Sequence, residues 1–261
     1  MLSIDLKGKV AIVTGASQGI GFGVAEIMAK AGCHIAGCGM SDEDSPKVET
    51  FKGTILKTGQ KVFYKSLDIK SESKITSFVD EVMTEFGRID ILISNAGKNM
   101  FTSPEKCDVD FWDENADLNL KSHWLISKAC QPELQKNRGT IIIMSSNHAY
   151  ASLPDCFPYN VTKAGLKGLV KSLALQWGPK IRVIGLAPGF IETKGGEMWF
   201  ESFSDPKAKK EEIRDIHPLK RFGSVNEIGA FCAFLCSDYA AFITGTTYLI
   251  DGGRSAVMQD K

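Results

Sequence analysis

A serine, a tyrosine and a lysine stand at a spacing that could transfer a proton. Ser146 precedes Tyr159 by thirteen residues and Lys163 follows it by four, which puts Tyr159 and Lys163 on one face of a helix. A free tyrosine has a pKa of about 10, and a nearby ammonium favours the phenolate, so Lys163 is expected to lower that pKa. Without further context the pair could equally be an ordinary surface pair. Its role therefore depends on the elements that position it.

Those elements alternate regularly along the chain. Short apolar, β-branched runs are followed by longer amphipathic stretches, and strands that are apolar throughout are typical of a sheet covered on both faces. We predict strands at 9–14, 33–38, 61–66, 90–94, 140–145, 181–187 and 246–250. We predict helices at 20–30, 45–58, 71–86, 159–178 and 225–236, and one that ends near 135. The pattern indicates an α/β fold with a parallel sheet between two layers of helices.

One connection, 189–223, is much longer than the others and rich in Lys, Glu, Phe and Pro. Loops of that length in a compact domain are usually functional lids or disordered segments, and we expect this one to border the substrate. No repeat or linker interrupts the rest of the pattern. We therefore predict a single domain over 1–261, with its core at about 6–253.

The composition excludes several classes of function. Thirty-one basic residues balance thirty-one acidic ones, so no long-range field favours nucleic acid or an anionic membrane. No apolar run approaches the roughly 20 residues that cross a bilayer, and the N-terminus lacks a signal-peptide pattern. The seven cysteines are scattered without a CxxC pair, which favours reduced thiols over a metal site. We expect a soluble cytoplasmic protein with no metal, nucleic-acid or membrane partner.

The first strand runs directly into TGASQGIG, which contains Gly15, Gly19 and Gly21. Glycines at a strand-to-helix turn let the backbone approach a pyrophosphate, whose charge then lies at the N-terminus of the following helix. The spacing is GxxxGxG rather than GxGxxG, but an apolar strand precedes it and a helix follows. The turn therefore predicts nucleotide binding.

Several motifs together resemble the single-domain branch of the short-chain dehydrogenase/reductase family. The match runs from about residue 6 to 253 and rests on TGASQGIG, the NAG of 95–97, Asn119, Ser146, Tyr159-x-x-x-Lys163 and Pro188-Gly189. The resemblance implies a Rossmann-type sheet of about seven strands, a nicotinamide cofactor and a homotetramer. Helix pairs and the C-terminal region usually form the subunit contacts in this family.

The resemblance also implies a set of cofactor contacts. These positions are Gly15, Ser17, Gln18, Gly19, Ile20, Gly21, Gly39, Met40, Asp68, Ile69, Asn95, Ala96, Gly97, Tyr159, Lys163, Pro188, Gly189, Ile191 and Thr193. Asp68 and Ile69 match residues that contact adenine, although Asp68 could instead be a turn or helix-cap aspartate. The segment 188–193 matches one that lies along the nicotinamide, although a plain turn is the alternative. Ser94 replaces the usual first Asn of NNAG, with little change expected.

The choice between NAD and NADP stays open at this point. An Asp that ends the second strand normally accepts from the ribose 2′-hydroxyl, and a nearby basic residue receives a 2′-phosphate. Gly39 stands where the Asp would be and Met40 where an Arg is often found, and the missing Asp favours NADP. Gln18 in place of a basic residue and the acids of 42–44 favour NAD.

The resemblance assigns roles to Ser146, Tyr159 and Lys163. Tyr159 would exchange a proton with the substrate oxygen as hydride is transferred, and Ser146 would orient that oxygen. Lys163 would also hydrogen-bond the nicotinamide ribose. Asn119, in a helix interior where Asn is unfavourable, would hold a water in a proton relay that reaches Lys163. Ser145 is the competing serine, but the thirteen-residue spacing favours Ser146.

The substrate is less well indicated. His148 could hydrogen-bond a polar substrate or simply cap a loop, and Trp199 could line the pocket or belong to the core or a subunit interface. The ending HPLKRFG of 217–223 is similar to family members that act on sugars, sugar acids and polyols. A 3-oxoacyl or hydroxysteroid reductase is the alternative. From another class, a non-catalytic cofactor-sensing regulator would be expected to lack the Tyr or the Lys.

Overall fold

The computed structural model describes residues 3–257, and a parallel sheet of seven strands forms its centre. Its strands are β1 (Val10–Thr14), β2 (His34–Gly39), β3 (Val62–Ser66), β4 (Ile91–Ser94), β6 (Thr140–Met144), β8 (Arg182–Pro188) and β9 (Thr247–Ile250). They lie in the order β3-β2-β1-β4-β6-β8-β9, and each neighbouring pair is parallel. The predicted doubly wound Rossmann-type sheet is confirmed.

Helices cover the two faces of this sheet. They are α1 (Gly19–Lys30), α2 (Pro46–Leu56), α3 (Glu72–Phe86), α4 (Val109–Ala116), α5 (Ser122–Lys136), α6 (Tyr159–Trp177), α7 (Lys194–Glu201), α8 (Pro206–Asp215) and α9 (Val225–Leu235). Side chains of α1, α2 and α9 form one buried cluster, and those of α3, α5 and α6 form another. Successive residues of β1 point alternately into them, Ala11 and Val13 into the first and Val10 and Ile12 into the second.

The burial of the central strands explains why their sequences are apolar throughout. Every residue of β1, β4 and β6 is buried, so neither face of these strands can carry a solvated side chain. Because parallel strands end at the same edge, the residues after β1, β4, β6 and β8 converge there. That edge carries the glycine turn and the predicted catalytic residues.

Two features differ from the sequence-based predictions. The connection 189–223 is not a simple loop, because it contains α7 and α8, whose N-termini are capped by Thr193 and Asp205. We call residues 193–222 the lid. A short antiparallel pair, β5 (Phe101–Thr102) with β7 (Phe157–Pro158), was not predicted, because two residues are too few to show an alternating pattern.

The seven cysteines are all free, and burial raises the pKa of the Cys38 thiol to about 12. Six of them are buried and Cys107 is partly exposed. Along residues 3–257, no helix combines the length and the apolar character that crossing a membrane requires.

Candidate active site

The structure brings Ser146, Tyr159 and Lys163 together at the carboxyl edge of the sheet. Ser146 follows β6, Tyr159 is the first residue of α6, and Lys163 lies one helical turn later. All three side chains are buried. The Lys163 ammonium lies 5.6 Å from the centroid of the Tyr159 ring. Strand β6 and helix α6 therefore hold the group in a site that excludes bulk water.

The electrostatics of this group differ from the prediction that Lys163 lowers the pKa of Tyr159. Burial raises the pKa of Tyr159 to about 12, although a hydrogen bond with Ser146 lowers it in part. Burial also lowers the pKa of Lys163 to about 8. Lys163 Nζ donates to the Met144 carbonyl at 3.1 Å, which uses one of the three N–H groups of the ammonium.

The two neighbouring serines have different partners. Ser145 Oγ donates to the Lys163 carbonyl at 2.8 Å and thereby ties the end of β6 to α6. Ser146 Oγ accepts from the His148 backbone N–H at 3.2 Å and donates to Asn147 Oδ1 at 3.4 Å, and its proximity lowers the pKa of Tyr159 in part. The choice of Ser146 over Ser145 as the catalytic serine stays a prediction.

Asn119 is fully buried in a π-helical turn, Asp117–Lys121, between α4 and α5. Its Oδ1 accepts from the Lys98 N–H at 3.0 Å, and its Nδ2 donates to the Lys98 carbonyl at 3.0 Å. Nδ2 also donates to Asn115 Oδ1 at 3.1 Å. The wide turn thus gives an amide side chain a fixed orientation in a helix interior where Asn is otherwise unfavourable.

Gly97 lies close to both the Asn119 amide and the Lys163 ammonium. A Cβ at Gly97 would lie 2.8 Å from Asn119 Oδ1 and 3.4 Å from Lys163 Nζ. Both polar side chains therefore face the turn after β4, at a point where only a glycine fits without displacement. The water relay that would join them stays a prediction.

The glycine turn after β1 fits a pyrophosphate. Gly15 and Gly19 adopt φ of +67° and +59°, which favour glycine, and a Cβ at Gly15 would lie 3.0 Å from Asn95 Nδ2. Gln18 is the N-cap of α1, but its side chain accepts no hydrogen bond from the helix. The first N–H groups of α1 are therefore without a side-chain cap, as an anion-binding helix N-terminus requires.

Thr14, which the sequence analysis missed, joins the ends of β1 and β4. Its hydroxyl accepts from the backbone N–H groups of Asn95 and Ala96 at 2.9 and 2.8 Å. Asn95 Nδ2 donates to the Thr14 carbonyl at 2.9 Å. These bonds hold the NAG segment against the glycine turn. The signal was present in the sequence, because Thr14 is the last residue of an otherwise apolar strand.

Asp68 and Ile69 follow β3 at the same edge of the sheet. Asp68 Oδ1 accepts from the Lys70 N–H at 3.0 Å, so this aspartate closes a turn. The cap of α3 is Ser71, whose hydroxyl accepts from the Lys74 N–H at 3.4 Å. Asp68 is therefore not the helix cap, and its contact with adenine stays a prediction.

The segment after β8 borders the same crevice. The Gly189 N–H donates to the Ile250 carbonyl at 2.9 Å, and Ile191 pairs with Gly223 in an isolated parallel bridge. Thr193 Oγ1 accepts from the Gly196 N–H at 3.1 Å and caps α7. The segment is thus a structured entry into the lid, and its contact with a nicotinamide stays a prediction.

Aromatic side chains surround Tyr159 on the substrate side. The His148 ring lies 5.9 Å from the Tyr159 ring, and Phe101 of β5 lies 5.2 Å from Tyr159, edge to face. His148 Nδ1 is hydrogen-bonded to Ser152 Oγ at 3.1 Å, and burial lowers the pKa of the imidazole. His148 therefore fastens a loop and also flanks Tyr159. Sequence reasoning missed Phe101, because a two-residue strand places it.

Trp199 belongs to an aromatic cluster of the lid rather than to the catalytic group. Its ring centroid lies 5.9, 5.0 and 4.9 Å from those of Phe190, Phe200 and Phe203. Phe200 is buried, whereas Trp199 is 40% exposed. A substrate contact of Trp199 stays a prediction.

A buried pair lies behind the site. Ser94 Oγ and His123 Nδ1 are 2.7 Å apart, and burial keeps the pKa of His123 well below its usual value. Ser94 replaces the usual asparagine, so this departure from the family pattern creates a contact with α5. In the sequence, only the serine at position 94 in place of the usual asparagine indicated this contact.

Comparisons with known proteins give a consistent result. A family model described as enoyl-(acyl carrier protein) reductase matches residues 15–255. Human dehydrogenase/reductase SDR family member 4 is 34% identical over 252 residues, which span 95% of this chain and 88% of that protein. A putative short-chain alcohol dehydrogenase from Sinorhizobium meliloti 1021 superposes with a TM-score of 0.90 at 31% identity, over 98% of this chain and 100% of the other. The ligand-free aldohexose dehydrogenase of Thermoplasma acidophilum superposes with a TM-score of 0.89 at 29% identity, over 100% of this chain and 99% of the other.

Proposed function

Because this chain belongs to the short-chain dehydrogenase/reductase family, we propose that it transfers a hydride between NAD(P) and a secondary alcohol or ketone. The observation that carries the proposal is the buried group of Ser146, Tyr159 and Lys163 at the edge of the sheet that also carries the glycine turn. A proton donor next to a nucleotide cradle is the arrangement that carbonyl reduction needs, since hydride and proton arrive at adjacent atoms.

Each residue of the group has one task in this reaction. The nicotinamide, when bound, supplies or accepts the hydride. Tyr159, whose pKa of about 12 keeps its phenol protonated at neutral pH, gives its proton to the carbonyl oxygen in the reductive direction. Ser146 donates a hydrogen bond to the same oxygen as negative charge develops there. Lys163 binds the nicotinamide ribose, and Asn119 supports the relay that returns a proton to Tyr159.

The cofactor is held mainly by backbone. Gly15, Gly19 and Gly21 accept the pyrophosphate at the N-terminus of α1, and the NAG of 95–97 lies beside it. Asp68 and Ile69 receive the adenine, whereas the segment 188–193 receives the nicotinamide. The uncapped first turn of α1 and the glycine φ values support this assignment.

For the substrate we propose a small hydroxylated compound, such as a sugar, a sugar acid or a polyol. His148 supports this choice, because Ser152 occupies its Nδ1 and leaves Nε2 to a substrate hydroxyl beside Tyr159. The similarity to a protein named aldohexose dehydrogenase points the same way. A second candidate, a 3-oxoacyl or hydroxysteroid substrate, is favoured by Phe101, which offers a partly exposed apolar ring at Tyr159.

We propose further that the protein is a cytoplasmic homotetramer. Large apolar side chains are exposed on α5, on α6 and around β9, and neighbouring subunits would cover them. Trp124, Val161 and Leu175 lie on α5 and α6, and Phe242 and Leu249 lie at and before β9. Sedimentation velocity measures the mass, and a monomer would contradict the assembly.

One experiment tests the function. The protein is mixed with aldohexoses, sugar acids, polyols, 3-oxoacyl thioesters and hydroxysteroids, with both cofactors and in both directions, and the absorbance of reduced nicotinamide is followed. We expect a net change in absorbance with a hydroxylated substrate. Conversion without a net change would indicate epimerase chemistry, and binding without turnover on the whole panel would indicate a cofactor sensor.

A further inference from the structure

The carboxyl end of β2 lacks the charged residues by which nucleotide-binding proteins usually choose their cofactor. Gly39 offers no carboxylate to a ribose 2′-hydroxyl, and the side chain of Met40 is 74% exposed. Neither residue can therefore distinguish a 2′-hydroxyl from a 2′-phosphate by charge. Any discrimination at this point has to come from residues that the fold brings in from elsewhere.

Lys47 brings a positive charge to this place from α2. Its Nζ donates to Gln18 Oε1 at 3.1 Å, across 29 positions of the sequence. Gln18 is the N-cap of α1 and belongs to the glycine turn. The ammonium thus lies beside the turn. It brings a positive charge to Gln18, which stands where a basic residue could bind a 2′-phosphate.

Neutral hydrogen-bonding groups lie on the same turn as Gln18 and in the loop after β2. Ser17 Oγ of the glycine turn and Ser41 Oγ after β2 are 3.0 Å apart. The Tyr64 hydroxyl donates to the Ser41 carbonyl at 3.4 Å and fixes the loop after β2. Two hydroxyls and an ammonium together are the donors that a phosphate prefers.

The nearby acids do not cancel this charge. Glu43 is turned toward β3, where its carboxylate lies 3.8 Å from Lys65 Nζ and accepts from the Ser66 N–H at 3.3 Å. The side chains of Asp42, Asp44 and Lys47 are all exposed, so water and salt screen them alike, and no ion pair within residues 3–257 joins either aspartate to Lys47. Lys47 is the charged side chain that a hydrogen bond holds at Gln18.

We propose that Lys47 receives the 2′-phosphate of NADP and makes this protein prefer NADP over NAD, an inference that rests on the proposed function. Lys47 then supplies from α2 the charge that position 18 lacks. Ser17 and Ser41 complete the phosphate site. The acids of 42–44, which favoured NAD in the sequence, do not decide the preference.

Equilibrium binding tests this proposal without turnover. Isothermal titration calorimetry measures 2′,5′-ADP against 5′-AMP, and NADP against NAD, on the full chain. We expect the 2′-phosphate to tighten binding about tenfold or more, as a charge-assisted contact does. In Lys47→Gln the advantage should fall about tenfold while NAD affinity changes less than twofold. Lys47→Arg should keep the preference, and Lys57→Gln, at the other end of α2, should change neither affinity.

The outcomes separate the two proposals. Equal affinity for both cofactors, or a preference for NAD, would overturn the role of Lys47 while the dehydrogenase assignment stands. An equal loss of NAD and NADP affinity in Lys47→Gln would show a merely structural role and would also overturn it. If none of the four nucleotides binds, both the proposed function and this inference are wrong.

Discussion

The cofactor side and the lid of this protein are built in opposite ways. On the cofactor side, Gly15, Gly97 and Thr14 are held by strands whose residues are all buried. In the lid, Phe200 is the only buried residue of α7, and α8 has none. The difference separates two requirements. Hydride transfer needs atoms fixed to fractions of an ångström. Substrate choice needs bordering residues that can change between related proteins without moving those atoms.

The most damaging change to the cofactor side is expected at Tyr159, the proposed proton donor. Tyr159→Phe removes the proton donor and keeps the ring, so kcat should fall about 10³-fold. The dissociation constant for the cofactor, measured by fluorescence titration, should change little. Tyr239→Phe, which removes a hydroxyl from an exposed ring, is the matched control and should keep kcat. Near-normal turnover in Tyr159→Phe would remove the catalytic assignment.

An alanine in place of a glycine should have opposite effects on the two sides. In Gly97→Ala the new methyl group lies 2.8 Å from Asn119 Oδ1, so the free energy of unfolding should fall by about 1–3 kcal/mol and kcat should drop. Gly195→Ala, in α7, meets nothing closer than 3.9 Å. It should raise the free energy of unfolding by about 0.5–1 kcal/mol and keep kcat. Urea unfolding measures the free energy of unfolding of both variants. Equal changes in the two would contradict the proposed difference between the cofactor side and the lid.

The smallest expected effect concerns the ion pair that fastens the lid to α9. Arg221 Nη2 lies 2.6 Å from Glu227 Oε1, and this guanidinium, with the Ser224 N–H, lowers the pKa of Glu227 to about 2. A carboxyl whose pKa is depressed on folding stabilises the protein above its unfolded pKa of about 4.3, and that stability is lost as the pH falls toward 2. Both side chains are about half exposed, so solvent and salt screen the pair and its contribution to stability is small.

Glu227→Gln should therefore lower the free energy of unfolding slightly at pH 7, and most of the difference from the natural protein should vanish by about pH 3. Glu211→Gln, on the exposed surface of α8, is the control and should leave the free energy of unfolding unchanged at each pH. Denaturant titrations between pH 7 and pH 3 give the comparison. A difference that does not depend on pH would show that the pair does not act through charge.

The same contrast explains what the sequence could predict. The second strand, expected at 33–38, is found at His34–Gly39, because buried apolar runs bounded by turns leave little freedom in their limits. In the lid, α8 buries no side chain and so shows no apolar period, although Asp205-Pro206 is a recognisable helix start. The predicted lowering of the pKa of Tyr159 was wrong, because burial raises this pKa and the sequence does not show how deeply the phenol is buried. The contact of Lys47 with Gln18 depends on how a loop folds.

The bridge at the base of the lid has an evolutionary consequence. The Glu192 N–H donates to the Gly223 carbonyl at 2.8 Å, and the Gly223 N–H donates to the Phe190 carbonyl at 3.0 Å, so the chain leaves the sheet and returns to it at one point. Lengthening a segment whose ends are already joined costs little, about 0.6 kcal/mol for each doubling. We therefore expect that recombination or engineering can exchange residues 194–222, the part of the lid beyond the proposed nicotinamide contact at Thr193, without displacing the carboxyl edge of the sheet.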